Sequence, residues 1–246
     1  MDDHQHLSDL NATQIAWTLT VRVTRMWRSL NGHGEVSRHN LILLDYENMH
    51  MVAVMSPAIW NQFAGLLNPG TLYRIRNIGI MHATGLYRTV RNTNCIRFLP
   101  ITIVEVVPVD TLMIPRHKFE LTSLSAISKT LLNSNYDEIP VYSTDVIGVV
   151  EDLEPQRTIL SIFGSRDMIR FRLSDGETSH RVYFVGNFPP NIELLYQDIG
   201  TESKIVILAY VHINIYQGNL PSTSIFINID YPDVVTLRQR LLNIDN

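Results

Sequence analysis

Of the 20 basic residues in this 246-residue chain, 17 are arginine; only Lys118, Lys129 and Lys204 are lysine. A guanidinium is planar, weakly hydrated and carries its donors in a fixed fork, so this bias suits ring stacking and two-point contact with phosphate. Nine arginines (Arg22, Arg25, Arg28, Arg38, Arg74, Arg76, Arg88, Arg91 and Arg97) fall between Trp17 and Arg97, where only Glu35, Asp45 and Glu47 oppose them. The formal charge of −4 hides this gradient, because residues 141–246 carry eight basic and thirteen acidic side chains. On charge alone, a solvated and salt-bridged surface competes with a polyanion-binding one.

No enzymatic constellation accompanies these charges. His4 and His6 lie in a terminus read as loose, and His33, His39, His50, His82, His117, His180 and His212 show no metal-ligand spacing. Gly32-His33-Gly34 is too short to cradle a phosphate and lacks a following Lys-Ser/Thr. Asp45 and Asp175 occupy equivalent turns and are read as turn residues, not as a catalytic pair. The single cysteine, Cys95, excludes an internal disulfide and a cysteine-based zinc site, and reads as a small core hydrophobe. No catalytic residue, metal ligand or cofactor is expected.

The elements that must position the arginines occur twice. Trp17, Leu19, Val21 and Val23 alternate with Thr18, Thr20, Arg22 and Thr24, the period of a strand with one buried face. A polar stretch (Ser29 to Asn40), an apolar run (Leu41 to Leu44), a turn (Asp45 to Asn48) and a second apolar run (Met51 to Met55) follow. The same order recurs over 144–186 as TDVIGVVEDLE, IRFRLSD, GETS and HRVYFVG. Two copies of one three-strand meander imply two similar domains.

In the first, Ser56-Pro57 opens a helix as N-cap and N1, with Ile59, Phe63 and Leu66 on one face, and Asn68-Pro69-Gly70 ends it. TLYRIRNIGI forms a fourth strand, and LYRTVRNTNCIRFL with ITIVEVV a fifth. Five strands with a helix between the third and fourth is the order of an oligonucleotide/oligosaccharide-binding (OB) barrel. In the second, Pro189 and Pro190 shorten the helix, SKIVILAYVHINIYQ and STSIFINID are strands four and five, and PDVVTLRQRLLN closes as a helix.

The expected fold is therefore mainly all-β: two tandem OB-fold barrels with short connecting helices and a C-terminal helix. Residues 1–13 form a loose or disordered N-terminus, 14–110 the first barrel, 111–140 a linker and 141–246 the second barrel with its helix. No apolar run approaches the roughly 20 residues of a membrane helix, and the N-terminus lacks the regions of a secretory signal. A soluble protein of the cytoplasm or nucleus, without a membrane partner, is expected.

TDVIGVV, the Tyr-Gln-Gly-Asn-Leu turn and STSIFINIDYPDVVTLRQR resemble the second central OB domain of the replication protein A large subunit. VRVTRMW, NLILLDYEN and the Tyr87-to-Phe98 segment resemble the preceding OB domain, especially in the plant-type branch. The resemblance covers about residues 15–242. It implies a nuclear protein that binds single-stranded DNA, stacking bases on aromatic rings and tracking phosphates with basic side chains. Arg25 and Trp27 then match an Arg-x-Trp in the loop between strands one and two, Tyr87 a stacking aromatic after strand four, and His39 the other stacking position. In the second domain Tyr216 matches the corresponding aromatic, Val185 stands where a tryptophan is expected, and Arg166 and Arg170 match basic positions preceding strand two.

Apart from the resemblance, Arg22, Arg74 and Arg76 on the polar faces of their strands could follow a phosphate backbone. Arg28, Arg88 and Arg91 belong to the same basic set. Trp27 has packing on the barrel as its alternative role, and Phe63, Phe98 and Phe184 read as core. The expected function is sequence-tolerant binding of single-stranded DNA in replication, repair or recombination, over roughly 8 to 30 nucleotides if both barrels engage, by a specialised or truncated paralogue. Two alternatives stay open. A protein-interaction module without nucleic acid would explain the acidic second half, Val185 and an apolar strand able to pair with a partner's edge. RNA binding differs only through contacts to the 2′-hydroxyl.

Overall fold

The first strand, β1 (Thr18–Leu30), organises the first unit because it changes partners along its length. Its early residues pair antiparallel with β4 (Leu72–His82), from Thr18 opposite Arg76 to Arg22 opposite Leu72. Its later residues pair with β2 (Val36–Leu44), from Arg22 opposite Leu44 to Leu30 opposite Val36. Arg22 pairs on both sides, and a register shift between Val23 and Arg25, just inside the β2 ladder, bends the strand there. β3 (His50–Met55) folds back on β2 and runs parallel to β5 (Asn94–Val106), which returns along β4. The five strands close into a barrel in the order β1-β2-β3-β5-β4 around Leu19, Val21, Leu41, Leu43, Ala53, Tyr73 and Ile75. The computed structural model describes residues 5–84, 88–109, 112–133, 142–161, 164–186, 188–198, 203–211 and 223–244, in two compact units that meet in sequence between Lys118 and Phe119.

Several local structures differ from the expectation. The polar stretch from Ser29 to Asn40 is mostly strand, turning over residues 31–35. There Asn31 Oδ1 accepts from the His33 and Glu35 backbone N–H groups (2.9 and 3.0 Å) and Gly34 adopts φ +80°. Residues 30–35 are exposed, so no apolar alternation marks this hairpin. The helix after β3 is one turn long: α1 (Pro57–Trp60) starts at Ser56, whose Oγ accepts from Ile59 N. The chain then continues in turns that bury Phe63 edge-on against Phe98. Residues 5–10, within the stretch expected to be loose, are packed: Leu7 and Leu10 enter the barrel core, and Gln5 N donates to Thr18 O. Residues 1–4 lie outside the described residues.

Asp45 holds this strap. Only 2% exposed, it accepts from Met49 N (2.8 Å) through Oδ1 and from Leu7 N (2.9 Å) through Oδ2. After β5 the chain doubles back, burying Ile114 against Leu44 and Leu72.

The second unit repeats the strand order, but its first strand is divided in two and, among the described residues, its six strands form an open sheet rather than a closed ring. β6 (Thr144–Glu151) pairs β10 (Ile205–Val211) and the end of β8 (Gly164–Ser174), while β7 (Arg157–Ser161) pairs the rest of β8. Together β6 and β7 take the place of β1, interrupted around Pro155, which has no N–H for a ladder. β9 (Ser179–Val185) lies on β8, and β11 (Ser224–Ile227) on β10. The turn aspartates are equivalent in chemistry too: Asp175 Oδ1 accepts from Thr178 N (2.8 Å), as Asp45 does from Met49 N. α2 (Leu124–Asn133) packs Leu124 and Ile127 into a core with Phe171 and Phe184. α3 (Pro232–Ile244) lays Val234 and Leu237 on Ile205 and Ile207. The residues expected as a linker thus serve both units, Ile114 in the first and α2 in the second.

β6 crosses β8 so closely that a Cβ on Gly148 would lie 2.7 Å from Leu173 Cγ and 2.8 Å from Ser174 O. Gly148→Ala is expected to cost about 1–3 kcal/mol through overpacking. Urea denaturation followed by far-ultraviolet circular dichroism checks this; an unchanged midpoint would mean that the two strands separate at no cost.

Candidate nucleic-acid interface

Residues directly paired across neighbouring strands point to the same face, so the register lays out one row around the first barrel. Trp27 on β1 pairs with Asn40 on β2, Asn40 with Val54 on β3, Val54 with Arg97 on β5, and Arg97 with Gly79 on β4. At about 4.8 Å per strand, Trp27 and Arg97 are about 14 Å apart along this row. Asn40 is fixed within it, its Nδ2 donating to Ser29 Oγ (2.9 Å). Arg97 is exposed and Trp27 partly so.

One position along from Trp27, and so on the opposite side of the strand pair, exposed Arg28 pairs with His39, whose ring stacks on Trp60 with centroids 4.2 Å apart and planes 6° from parallel. α1 positions Trp60, and β2 positions His39. Met26, Trp27, Arg28, His39, Asn40 and Trp60 line an open cavity of about 270 Å³. Burial of the imidazole, and then the Arg28 guanidinium beside it, hold His39 below the ordinary histidine value. The cavity therefore presents aromatic faces, a neutral imidazole and a fixed cation.

Trp27, Arg28 and His39 are thus brought together, and Arg25 and Trp27 lie on β1 rather than in a loop. Arg25 itself is 8% exposed. Arg22 lies elsewhere: its guanidinium donates to the backbone carbonyls of Gly70 (2.6 Å), Ile114 (2.8 Å) and Pro115 (3.1 Å) and clamps the returning chain. Arg76 is paired with Glu105 at 2.6 Å, and Arg74 is half-buried in the same strand. Arg91 is exposed and Arg88 half-buried, in the connection between β4 and β5. Tyr87 and Tyr216 lie outside the described residues.

In the second unit Arg166 is exposed near the start of β8, and Arg170 stands five residues before its turn aspartate, as Asn40 does. Arg170 Nε donates to Glu154 Oε1 (2.6 Å), Arg157 pairs with the same carboxylate (3.0 Å), and Arg172 pairs with Glu151 (2.9 Å). The Arg170 hydrogen bond holds the Glu154 carboxyl below its usual range. Val185 ends β9 opposite Met168.

Trp60, Met26, Asn40 and Arg97 join the site although no sequence motif singles them out. Trp60 leaves one sign: it is a large aromatic beside the stripe of Ile59, Phe63 and Leu66. The pairing that brings Arg97 into the row joins β3 to β5, 43 positions apart, and no local pattern encodes it.

His39 takes up a proton less readily folded than unfolded. Its neutral form therefore contributes stability that is complete above about pH 6.5 and is lost as pH falls toward the lower folded-state midpoint. An NMR titration should place the midpoint below 6.5. Trp60→Ala should raise it more than Arg28→Ala, since burial is the larger cause; a midpoint unmoved by Trp60→Ala would show that the stack does not desolvate the ring.

Residues 8–130, half of the chain, match the family described as domain of unknown function DUF223. A replication protein A 70 kDa DNA-binding subunit from Oryza sativa subsp. japonica is 26% identical over 247 residues, covering 95% of this chain and 25% of its own length. Another 70 kDa DNA-binding subunit of replication protein A, from Arabidopsis thaliana, is 24% identical over 245 residues, covering 94% of this chain and 37% of its own length. The chain thus spans well under half of either relative. One chain of a replication protein A heterotrimer bound to ssDNA has the same fold, with a TM-score of 0.63 and 21% identity over 97% of this chain and 55% of that one. This chain belongs to the DUF223 family, and its fold is the OB-fold of the replication protein A chain.

Proposed function

We propose that this protein binds single-stranded DNA with little sequence preference, chiefly through its first barrel. The observation that carries the reading is the cavity where Trp27 and the stacked His39 and Trp60 meet beside Arg28, on a barrel whose exposed arginines include Arg38 and Arg97. Rings offer every base a flat face, worth about 1–3 kcal/mol per stacked base, while guanidinium groups hold phosphates in register. Relatives named as DNA-binding subunits support the same ligand. With that ligand the protein would work in the nucleus, in replication, repair or recombination, and without catalysis. Tyr87 belongs to the proposed path by the family resemblance of its segment, and Arg88 and Arg91 follow it in sequence. Arg22 and Arg76, already engaged with carbonyls and a carboxylate, contribute least.

A protein-interaction role fits the second unit in particular. Arg157, Arg170 and Arg172 there are paired with Glu154 and Glu151, so that phosphate would have to displace carboxylates. Fluorescence anisotropy with labelled oligo-dT, the matching RNA and a duplex, over a salt series, separates the readings. The first predicts preference for oligo-dT, a log–log salt slope of about −0.7 per phosphate contacted, and about 5- to 150-fold weaker binding in Trp27→Ala or Trp60→Ala. Tyr87→Ala and Tyr216→Ala extend the test to the remaining positions. Equal affinity of the tryptophan variants and the parent would remove the proposed cavity from the path, and silence on all three ligands at micromolar protein would leave the interaction role.

A further inference from the structure

Away from this interface, side chains of His6, Asp45 and Glu47 converge so that one ligand atom from each lies within 4.8 Å of the others. The histidine comes from the N-terminal strap and the carboxylates from the turn between β2 and β3, 39 and 41 positions later. Their arrangement is built. Asp45 is fixed by backbone N–H groups of Met49 and Leu7, and each of its oxygens retains a further lone pair. His6 Nε2 lies 2.8 Å from the Tyr46 hydroxyl, and the two rings pack with centroids 4.7 Å apart. That contact orients the imidazole as outer partners orient metal-bound histidines.

The other ring nitrogen supplies the independent observation. His6 Nδ1 is shielded from solvent and makes no hydrogen bond, yet it faces Glu47 Oε1 at 3.2 Å. A proton on Nδ1, the tautomer in which Nε2 accepts from Tyr46, sits between this nitrogen and the carboxylate, and a divalent cation would displace that proton on binding. Ligands about 2.0–2.1 Å from a tetrahedral zinc ion stand about 3.3 Å from one another; His6 and Glu47 stand at 3.2 Å and the whole set within 4.8 Å, so the side chains would draw in around a bound ion. We propose that His6, Asp45 and Glu47 bind a zinc-like divalent cation. One imidazole with two carboxylates suits a first-row transition ion better than magnesium or calcium, which favour all-oxygen sites. Three protein ligands leave a fourth position for water. The bound ion staples the strap to the β2–β3 turn, reinforcing the Leu7–Asp45 hydrogen bond.

Full-length protein, freed of any histidine tag and stripped with chelator, tests this by calorimetric titration with zinc chloride and by thermal unfolding, with magnesium chloride as the control. One equivalent of zinc should bind, and saturation should raise Tm by about 5 °C or more, with little response to magnesium. His6→Ala and Glu47→Gln, at side chains outside the core, should each abolish both effects while leaving the circular dichroism spectrum unchanged; His33→Ala, on the distant hairpin, should not. Zinc binding that survives both variants, or that leaves Tm unmoved, overturns the proposal. No nucleic acid enters the experiment, so its failure says nothing against single-strand binding, nor the reverse.

Discussion

Every backbone N–H and C=O along β1 needs a partner or water, and no single neighbour runs the full length of the strand. The first unit meets that demand by giving the beginning of β1 to β4 and the rest to β2, with the irregularity at Val23–Arg25 turning the strand just inside the β2 ladder. Barrel closure follows, and with it the outward row Trp27, Asn40, Val54, Arg97, because each member is set by pairing with the one before. A slip of one residue in the second half of β1 would turn Trp27 inward and bring a different residue into the row. The second unit meets the same demand with two shorter strands. β6 and β7 divide the work of β1 across Pro155, and their edge residues engage β8 and its carboxylate partners.

Alternation reveals the strands wherever one face is buried. Leu19, Val21 and Val23 mark β1, and the repeated turn aspartates locate the two meanders, because these signals are local and come from burial or from a side chain bonding its own turn. The projecting hairpin between Leu30 and Val36 leaves no such mark, since both of its faces meet solvent. β7 escapes the same reading: its Leu160 is 91% exposed, and the strand is held by backbone pairing with β8 rather than by a buried face. The strap at residues 5–10 contains only two buried leucines in a polar setting, and its fixing partner, Asp45, is 38 residues away from Leu7. For the site, sequence supplies Trp27, Arg28 and His39 but not Trp60, because stacking between β2 and α1 depends on where the barrel closes.

Counting arginines cannot distinguish their roles. Arg22 clamps three backbone carbonyls, Arg76, Arg157, Arg170 and Arg172 face carboxylates, and Arg28, Arg38 and Arg97 reach solvent. These roles have different consequences for an incoming phosphate. A guanidinium already bonded to a carboxylate exchanges one charge-assisted bond for another, with little net gain, and leaves the carboxylate repelling the new anion. An exposed guanidinium exchanges water and a diffuse counterion for the phosphate, and the released ions favour the exchange. The same residue type can therefore favour a polyanion on the first barrel and contribute little on the second.

The stacked His39–Trp60 pair adds a constraint of its own. Its facing surfaces are already used, so an added ring extends the stack from an outer face. That geometry starts from rings held in place by β2 and α1, which lowers the entropy lost on association. The neutral state of His39 fits this role: a charged imidazole would repel Arg28 and would lose hydration as a base covered it. A phosphate beside Arg28 acts in the opposite direction, since its negative charge favours the protonated ring. In the proposed complex, the balance between stacking, which favours the neutral imidazole, and phosphate contact, which favours the imidazolium, would couple proton uptake at His39 to how an oligonucleotide lies across the cavity.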